Sequence, residues 1–380
     1  MRTRIIDSIT SISKDAWNTC ATPKNGGLNP FTSHGFLSAL EESGCASART
    51  GWLPQHILLE NEKGELLGAL PLYLKSHSQG EYVFDQGWAN AFEQAGGQYY
   101  PKLQSSIPFS PVTSPRLLAT DLTHKEILLK SAINLADKLQ VSSLHFTFLE
   151  QDEVDVMTSH HLLHRKDQQY HWINNGYRSF NEFLEALSSR KRKNIQKERR
   201  GALESNIEVE WIRSSDITDD HWDHYYEFYL DTANRKWGRP YLNRDFFSHL
   251  GHNIPDNVLL MMAKRDGRYI AGALNLIGGD ILYGRYWGAT EYHKFLHFEL
   301  CYYQAIEFAI ENNMSKVEAG AQGDHKLSRG YVPIETNSMH WISNPSFRDA
   351  IQKYLAQETI AVGRDIEYLK ELTPFKKSET

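Results

Sequence analysis

Apolar and polar positions run through this chain in two rounds of the same order. The block Gly68-Ala69-Leu70-Pro71-Leu72 returns as Gly272-Ala273-Leu274-Asn275-Leu276, each time after a short charged turn with a glycine, at 61–65 and at 264–268. Both copies read as strand, hairpin, strand. A helical pattern and a short β-rich strand follow each copy, at 125–139 and 143–149 in the first round and at 297–312 and 316–319 in the second. The shared order predicts an internal duplication, with one domain over 1–165 and another over 166–380.

An aromatic, Gly- and Pro-rich stretch at 80–115 has no counterpart in the second round. It holds Trp88, Phe92, Tyr99, Tyr100 and the run Pro108-Phe109-Ser110-Pro111. A stretch of that length covers a site or an interface, or packs between the two halves. The polar segment 151–169 has no clear periodicity and reads as a linker. After it, Ser179 and Glu182 form a capping box. Phe180, Phe183, Leu184 and Leu187 follow at helical spacing, so the pattern predicts one amphipathic helix ending near Gly201. Strands at 207–212, 258–264, 269–277 and 281–287, a helix around 221–230 and a C-terminal helix over 345–369 complete the reading. The fold class is α/β (α+β), a mixed central sheet flanked by helices in each domain.

Composition narrows the function classes. A chain of 380 residues exceeds the ~100–200 of a usual single core, and 41% apolar with 12% aromatic residues supplies packed interiors. No run approaches the ~18–20 apolar residues of a membrane helix, so no membrane insertion is expected. The opening MRTRIIDSITSISKD has no apolar export signal. Cys20, Cys45 and Cys301 form no CxxC pair and fit a reducing cytoplasm. A net charge of −6 argues against a DNA-tracking surface. Within 190–200, however, Arg190, Lys191, Arg192, Lys193, Lys197, Arg199 and Arg200 are opposed only by Glu198. That cluster is either a solvated helix face or a seat for a phosphate-rich partner such as tRNA. The 235–241 segment adds Trp237 and Tyr241 beside cations, suited to stacking on a substrate or to a domain contact. Seventeen histidines include pairs at helical spacing, but no HExxH and no third ligand at a diagnostic distance, so no metal is expected.

The run 189–200 resembles the basic helix that opens the acceptor domain of FemAB-type aminoacyltransferases. The block His297-Phe298-Glu299-Leu300, followed by 318–331 (Glu318-Ala319-Gly320-Ala321-Gln322-Gly323-Asp324-His325-Lys326-Leu327-Ser328-Arg329-Gly330-Tyr331), resembles the C-terminal signature of predicted FemAB-like N-acyltransferases of the GNAT superfamily. Asn29-Pro30-Phe31, Ser33-His34, Tyr99-Tyr100-Pro101-Lys102 and 108–112 match the same group. The resemblance implies tandem GNAT-like domains, a bacterial, peptidoglycan-related setting, and transfer of an acyl or aminoacyl group to a small-molecule or peptide amine. It implies no required cofactor; acyl-CoA or aminoacyl-tRNA is the co-substrate. A CoA-binding GNAT presents glycines whose amides hold the pyrophosphate at a helix start. Here the corresponding 288–296 keeps only Gly288, which favours the tRNA-borne donor over CoA.

In GNAT-like folds the acyl carbonyl sits where two central parallel strands splay, here 281–287 and 316–319, and a backbone N–H near 286–288 serves as oxyanion donor. The segment 320–330 leaves one of these strands with Gln322, Asp324, His325, Lys326 and Arg329 in reach of a ligand. Glu318, Asp324 or His325 is expected as base, and Lys326 and Arg329 as anion clamps beside Gln322. Glu299, at the edge of an apolar helix face, is either a half-buried base with a raised pKa or a carboxylate bonded to a nearby donor. His293, Lys294 and His297 form a positive cluster for a phosphate-bearing donor, and Arg192 and Lys193 a substrate contact. A non-catalytic module that binds a cell-wall precursor or RNA is the rival class.

Overall fold

The computed structural model describes residues 1–24, 26–236, 239–320 and 323–376. Its strands in chain order are β1 (Arg2–Ile6), β2 (Trp52–Pro54), β3 (His56–Glu60), β4 (Leu66–Leu70), β5 (Tyr73–Lys75), β6 (Lys102–Ser105) and β7 (Ser143–Leu149). There follow β8 (Leu163–Ile173), β9 (Ile207–Arg213), β10 (Val258–Arg265), β11 (Arg268–Gly278), β12 (Ile281–Ala289), β13 (Lys316–Glu318) and β14 (Val332–Ile342). Two compact units emerge: Met1–Asp167 with Glu335–Arg364, and Gln168–Ile334 with the segment from Asp365 onward.

The duplication is written in the strand pairing. In the first unit β5 pairs antiparallel with β6, β6 parallel with β7, and β7 antiparallel with β14. In the second, β11, β12, β13 and β8 repeat that antiparallel, parallel, antiparallel order. The last strand of each set comes from the other half of the chain, since β8 follows β7 in sequence but completes the second unit. This exchange explains why 335–364 belongs with the first unit, whereas the sequence pattern assigned everything after 165 to the second.

Local chemistry accounts for the hairpins. Asp266 and Gly267 both take positive φ, +50° and +78°, as a two-residue hairpin of right-handed twist requires. In the first unit Asn61 accepts from the N–H groups of Lys63 and Glu65 to close the equivalent turn. Helix Leu122–Lys138 buries Leu128, Leu129, Ala132, Leu135 and Ala136, three or four residues apart, against Leu144 and Phe146 of β7. In the second unit Leu300, Tyr303, Ile306 and Ile310 do the same around Val317 and Leu282.

Three expectations change. Segment 151–169 is not a linker; it forms helix Gln151–Ser159 and the start of β8, with Val154, Val156 and Met157 buried. The expected single helix through 180–201 is two, Phe180–Ala186 and Ser189–Ala202. It breaks because Leu187 turns extended and bridges Phe375 while Ser188 donates to the Pro374 carbonyl. The aromatic stretch 80–115 is packed inside the first unit, where it carries helix Gln86–Gln94 and β6.

That stretch closes over a buried ionic row. Lys75 and Lys102 are cross-strand neighbours, and His145 pairs with His340. Lys102 donates to Glu81 (2.7 Å), Ser78 (2.8 Å) and Asp85, while Tyr99 donates to Asp85 (2.7 Å). Burial, then the Lys102 charge, pushes the His145 imidazole down to about 3. The folded state therefore binds fewer protons than the unfolded chain between about pH 3 and the ordinary histidine value. Stability rises with pH across that window and is lost as pH falls through it. We expect the urea midpoint to drop between pH 7 and pH 5, and His145→Gln to flatten that drop; an unchanged acid limb in the variant counts against this assignment.

Candidate active site

The parallel ladder between β12 and β13 is three pairs long: Ile281 with Lys316, Leu282 with Val317, and Tyr283 with Glu318. β12 runs on to Ala289, while β13 ends at Glu318. Gly320, at φ +75°, turns the chain away, a conformation a side chain would strain. Beyond Tyr283, β12 thus has no strand partner on its β13 side among the described residues. Its other side stays paired with β11, but with a slip: Leu274 faces Tyr286 and Asn275 faces Gly284, which leaves Arg285 as the extra residue of a bulge.

A cleft of about 90 Å³ opens where the strands part. Asn275, Gly284, Arg285, Tyr286, Trp287 and Ala319 line it from the sheet, and His297, Cys301 and Tyr302 from the helical side. Those last three lie on a helical segment that is π-helical over Glu299–Tyr303, a widening common at functional sites. His297 packs edge-on to Trp287 and Tyr302, and the Tyr302 hydroxyl lies 2.9 Å from His325 Nε2. Next in sequence to the cleft-lining Ala319, the Glu318 carboxylate is buried, 2.9 Å from Lys316 Nζ and 3.9 Å from Arg285 Nη2. Burial raises its pKa, but His171, Lys316 and Arg285 outweigh this and hold it below the usual carboxylate value. Burial pushes the His171 imidazole down to about 4, so at pH 7 it is neutral and the hold on Glu318 falls to Lys316 and Arg285.

The structure gathers some of the expected residues and separates others. Glu318 sits at the parting point, but a carboxylate held low is a weak proton acceptor at neutral pH. Of His293, Lys294 and His297, only His297 reaches the cleft; His293 is 2.8 Å from Glu291 and Lys294 is exposed. Lys326 and Arg329 are buried and bonded within the protein rather than held out as anion clamps. Lys326 donates to the carbonyls of Ala319 and Gly320, and Arg329 to Glu198 (2.9 Å) and the His325 carbonyl (2.7 Å). Asp324 begins the short helix Asp324–Arg329. Tyr241 is partly buried and does not line the cleft. Gln322 and Trp237 lie outside the described residues.

Glu299 is not half-buried. It is fully enclosed, taking Arg199 Nη2 at 2.9 Å, Arg199 Nε at 3.1 and 3.2 Å and Gln304 Nε2 at 2.7 Å. Arg199 thereby leaves the basic cluster and turns inward with Ile195 and Ala202. Arg190, Lys193, Lys197 and Arg200 remain exposed, and Lys191 and Arg192 partly so. The cleft residues that sequence reasoning missed are Asn275, Arg285, Cys301 and Tyr302; Tyr286 and Trp287 it named for their backbone alone. One signal pointed there: Asn275 replaces Pro71 in the repeated block, and the ladder breaks at both positions. Among the described residues no three His, Cys, Asp or Glu side chains are grouped to hold a metal ion, and no helix is long and apolar enough to cross a membrane.

A family model named FemAB-like, described as peptidoglycan biosynthesis/recognition, matches residues 8–377. No curated protein matches the sequence. Among solved structures, FemX aligns with a TM-score of 0.56 at 13% identity, over 93% of this chain and 100% of FemX. The C-terminal domain of a putative lysylphosphatidylglycerol synthetase from Agrobacterium fabrum gives 0.54 at 9% identity, over 90% and 95%. L-PGS from Bacillus licheniformis gives 0.50 at 8%, over 84% and 96%. At these identities the likeness is one of fold, a mixed sheet flanked by helices.

Removing one partner of a buried ion pair strands the other's charge, at a cost of about 3–5 kcal/mol. Glu299→Ala is expected to lower unfolding free energy by about that amount in urea titrations. A variant that kept full stability and lost only activity would instead make Glu299 a catalytic group.

Proposed function

The chain belongs to the FemAB-like family, and on that premise we propose that it transfers an acyl or aminoacyl group from an activated donor to an amine, in the cleft of the second unit. The observation that carries this reading is the end of the parallel ladder at Tyr283 and Glu318, beside a cleft walled by aromatic and imidazole side chains. Amide formation needs an acceptor amine that sheds a proton, a donor carbonyl whose oxygen is stabilised as it gains charge, and the two held in line. The unzipped edge of β12 at 284–287 offers backbone N–H groups to the developing oxyanion. His297, the imidazole that lines the cleft, takes the amine's proton and returns it to the departing group, with His325 behind it through Tyr302.

Two observations favour aminoacyl-tRNA over CoA as donor. The residue capping the helix at Leu296 is Phe295, in a left-handed conformation with φ +70°, so the turn into that helix carries a phenylalanine where a CoA-binding loop would have a glycine. The outward cations of Ser189–Ala202 supply a surface for a phosphate backbone. The family description favours a peptide amine of a cell-wall precursor as acceptor, and a reaction between such a donor and such a precursor belongs in the cytoplasm.

Calorimetry with acetyl-CoA and filter binding with a mixed aminoacyl-tRNA pool test this. We expect no heat with CoA and retention of charged tRNA. Changing Arg192, Lys193 and Lys197 together to Gln should flatten the salt dependence of binding, by about 0.7–0.9 in log–log slope for each phosphate no longer neutralised. His297→Ala should lower kcat roughly 10²–10⁴-fold with the fold intact. Binding of neither donor, or full turnover in His297→Ala, overturns the reading.

A further inference from the structure

We propose that Tyr292 is a stacking platform for the unpaired 3′ end of an RNA, holding its last bases outside the cleft while the group they carry enters. The proposal rests on the reading of aminoacyl-tRNA as donor, and names the part of the protein that grips its single-stranded end. A cleft of about 90 Å³ takes an acyl group but no base-paired helix. The nucleotides next to the ester must therefore be unpaired and lie at the cleft mouth. Cations attract the phosphates of such a strand wherever it lies, whereas an aromatic face fixes one base by stacking. The strand thus calls for a ring between the cationic helix and the cleft.

Tyr292 stands there. Helix Ser189–Ala202 presents Lys193, Lys197 and Arg200 to solvent. Near its end Gly201 makes room for the Phe295 ring, which an added Cβ would meet at 3.3 Å. Two residues after Phe295, His297 lines the cleft. The loop 290–295 therefore runs between the end of the basic helix and the cleft wall. Tyr292 projects from it at 88% exposure, the highest of any large apolar side chain among the described residues. Lys294, two residues on, is also exposed, its Nζ 4.9 Å from the centre of the Phe295 ring.

A lone exposed aromatic ring is ordinary on a protein surface. What distinguishes Tyr292 is how firmly its neighbours are tied. Thr290 donates to the Ile270 carbonyl through both its N–H (3.0 Å) and its hydroxyl (3.3 Å). Glu291 is bonded to Arg265 (3.1 Å) and His293 (2.8 Å), so the one carboxylate of the loop is occupied rather than left to repel phosphate. The His293 carbonyl accepts from the Leu296 N–H, and that of Phe295 from the Glu299 N–H, which ties the loop to the helix after it. The backbone on either side of Tyr292 is held while its ring is left to solvent. A ring displayed in this way loses little freedom on stacking, as a platform requires.

Fluorescence anisotropy of the full chain with a short labelled RNA ending in unpaired CCA tests this, with a blunt duplex of the same sequence as control. We expect Tyr292→Ala to bind the unpaired RNA about 5–150-fold more weakly, the range for loss of one stacked base, and the duplex as the wild type does. Tyr292→Trp should keep or tighten binding, since its larger face stacks at least as well. With the side chain almost wholly in solvent, neither substitution disturbs packing. The salt slope should be unchanged in Tyr292→Ala, because the ring carries no charge, whereas Lys294→Gln should lower it by about 0.7 for one single-strand phosphate. Equal affinity of wild type and Tyr292→Ala for the unpaired RNA overturns the platform and leaves the donor reading standing. Equal weakening toward both RNAs overturns it too, since that reports an altered surface rather than a lost stack. If the wild type binds neither RNA at low salt, the donor reading falls and the platform with it, so the two failures are told apart.

Discussion

Everything in the second unit turns on how soon a parallel ladder stops. Three residue pairs join β12 to β13, and the polar backbone beyond them must find other partners or bind something. The slip that makes Arg285 a bulge re-aims β12 at the same level. The π-helical turn sets Cys301 and Tyr302 opposite, with His297 just before it. Ladder, bulge and widened helix are separate irregularities, each costly in isolation, and they coincide around one cleft. Coincidence of that kind marks a place where regular structure has been given up for chemistry.

The surrounding ionic pairs read differently once this is clear. Glu299 with Arg199, Glu198 with Arg329, and Lys326 with two carbonyls tie the helix Ser189–Ala202 and the turn after β13 to the helical segment behind the cleft. They are bonded to one another within the protein, so they supply rigidity rather than free acids, bases or clamps. The groups left facing the cleft are aromatic rings, an imidazole, a thiol, the Asn275 carboxamide, the Arg285 guanidinium and backbone. For acyl transfer that suffices, since the donor arrives activated and the protein has only to place it, accept a proton and stabilise an oxyanion.

What could be read from the sequence follows the range of each signal. The repeated block, the hairpin turns and strands such as Ser143–Leu149 announce themselves within a few residues, and the structure places them accordingly. The parting strands could be located because the resemblance supplied a template. Glu299 could not be interpreted from its own helix, because its partner stands 100 residues earlier in the chain. Arg285 could not be singled out because a bulge is a property of register between two strands. The segment 151–169 looked structureless since its helix shows few apolar positions and its strand alternates weakly. The exchange of β8 and β14 leaves no mark in composition at all.

The two units show what a duplicated topology can do with one irregularity. Pro71 and Asn275 sit at the same place in the repeat; the first ladder ends just before Pro71, which has no N–H to give, whereas the second slips at Asn275 and then resumes. In the first unit the space past its parallel ladder is filled: residues 106–112 are buried and Arg116 donates to four carbonyls. Its aromatic insert then seals the other end of the sheet over Lys75, Lys102, Asp85 and His145. In the second unit the corresponding hairpin is a bare Gly279-Asp280 turn, and nothing among the described residues fills the parting. The parallel ladder stops after three pairs in both units, so the parting is a property of the fold. Whether it becomes a site depends on how much chain is left to plug it.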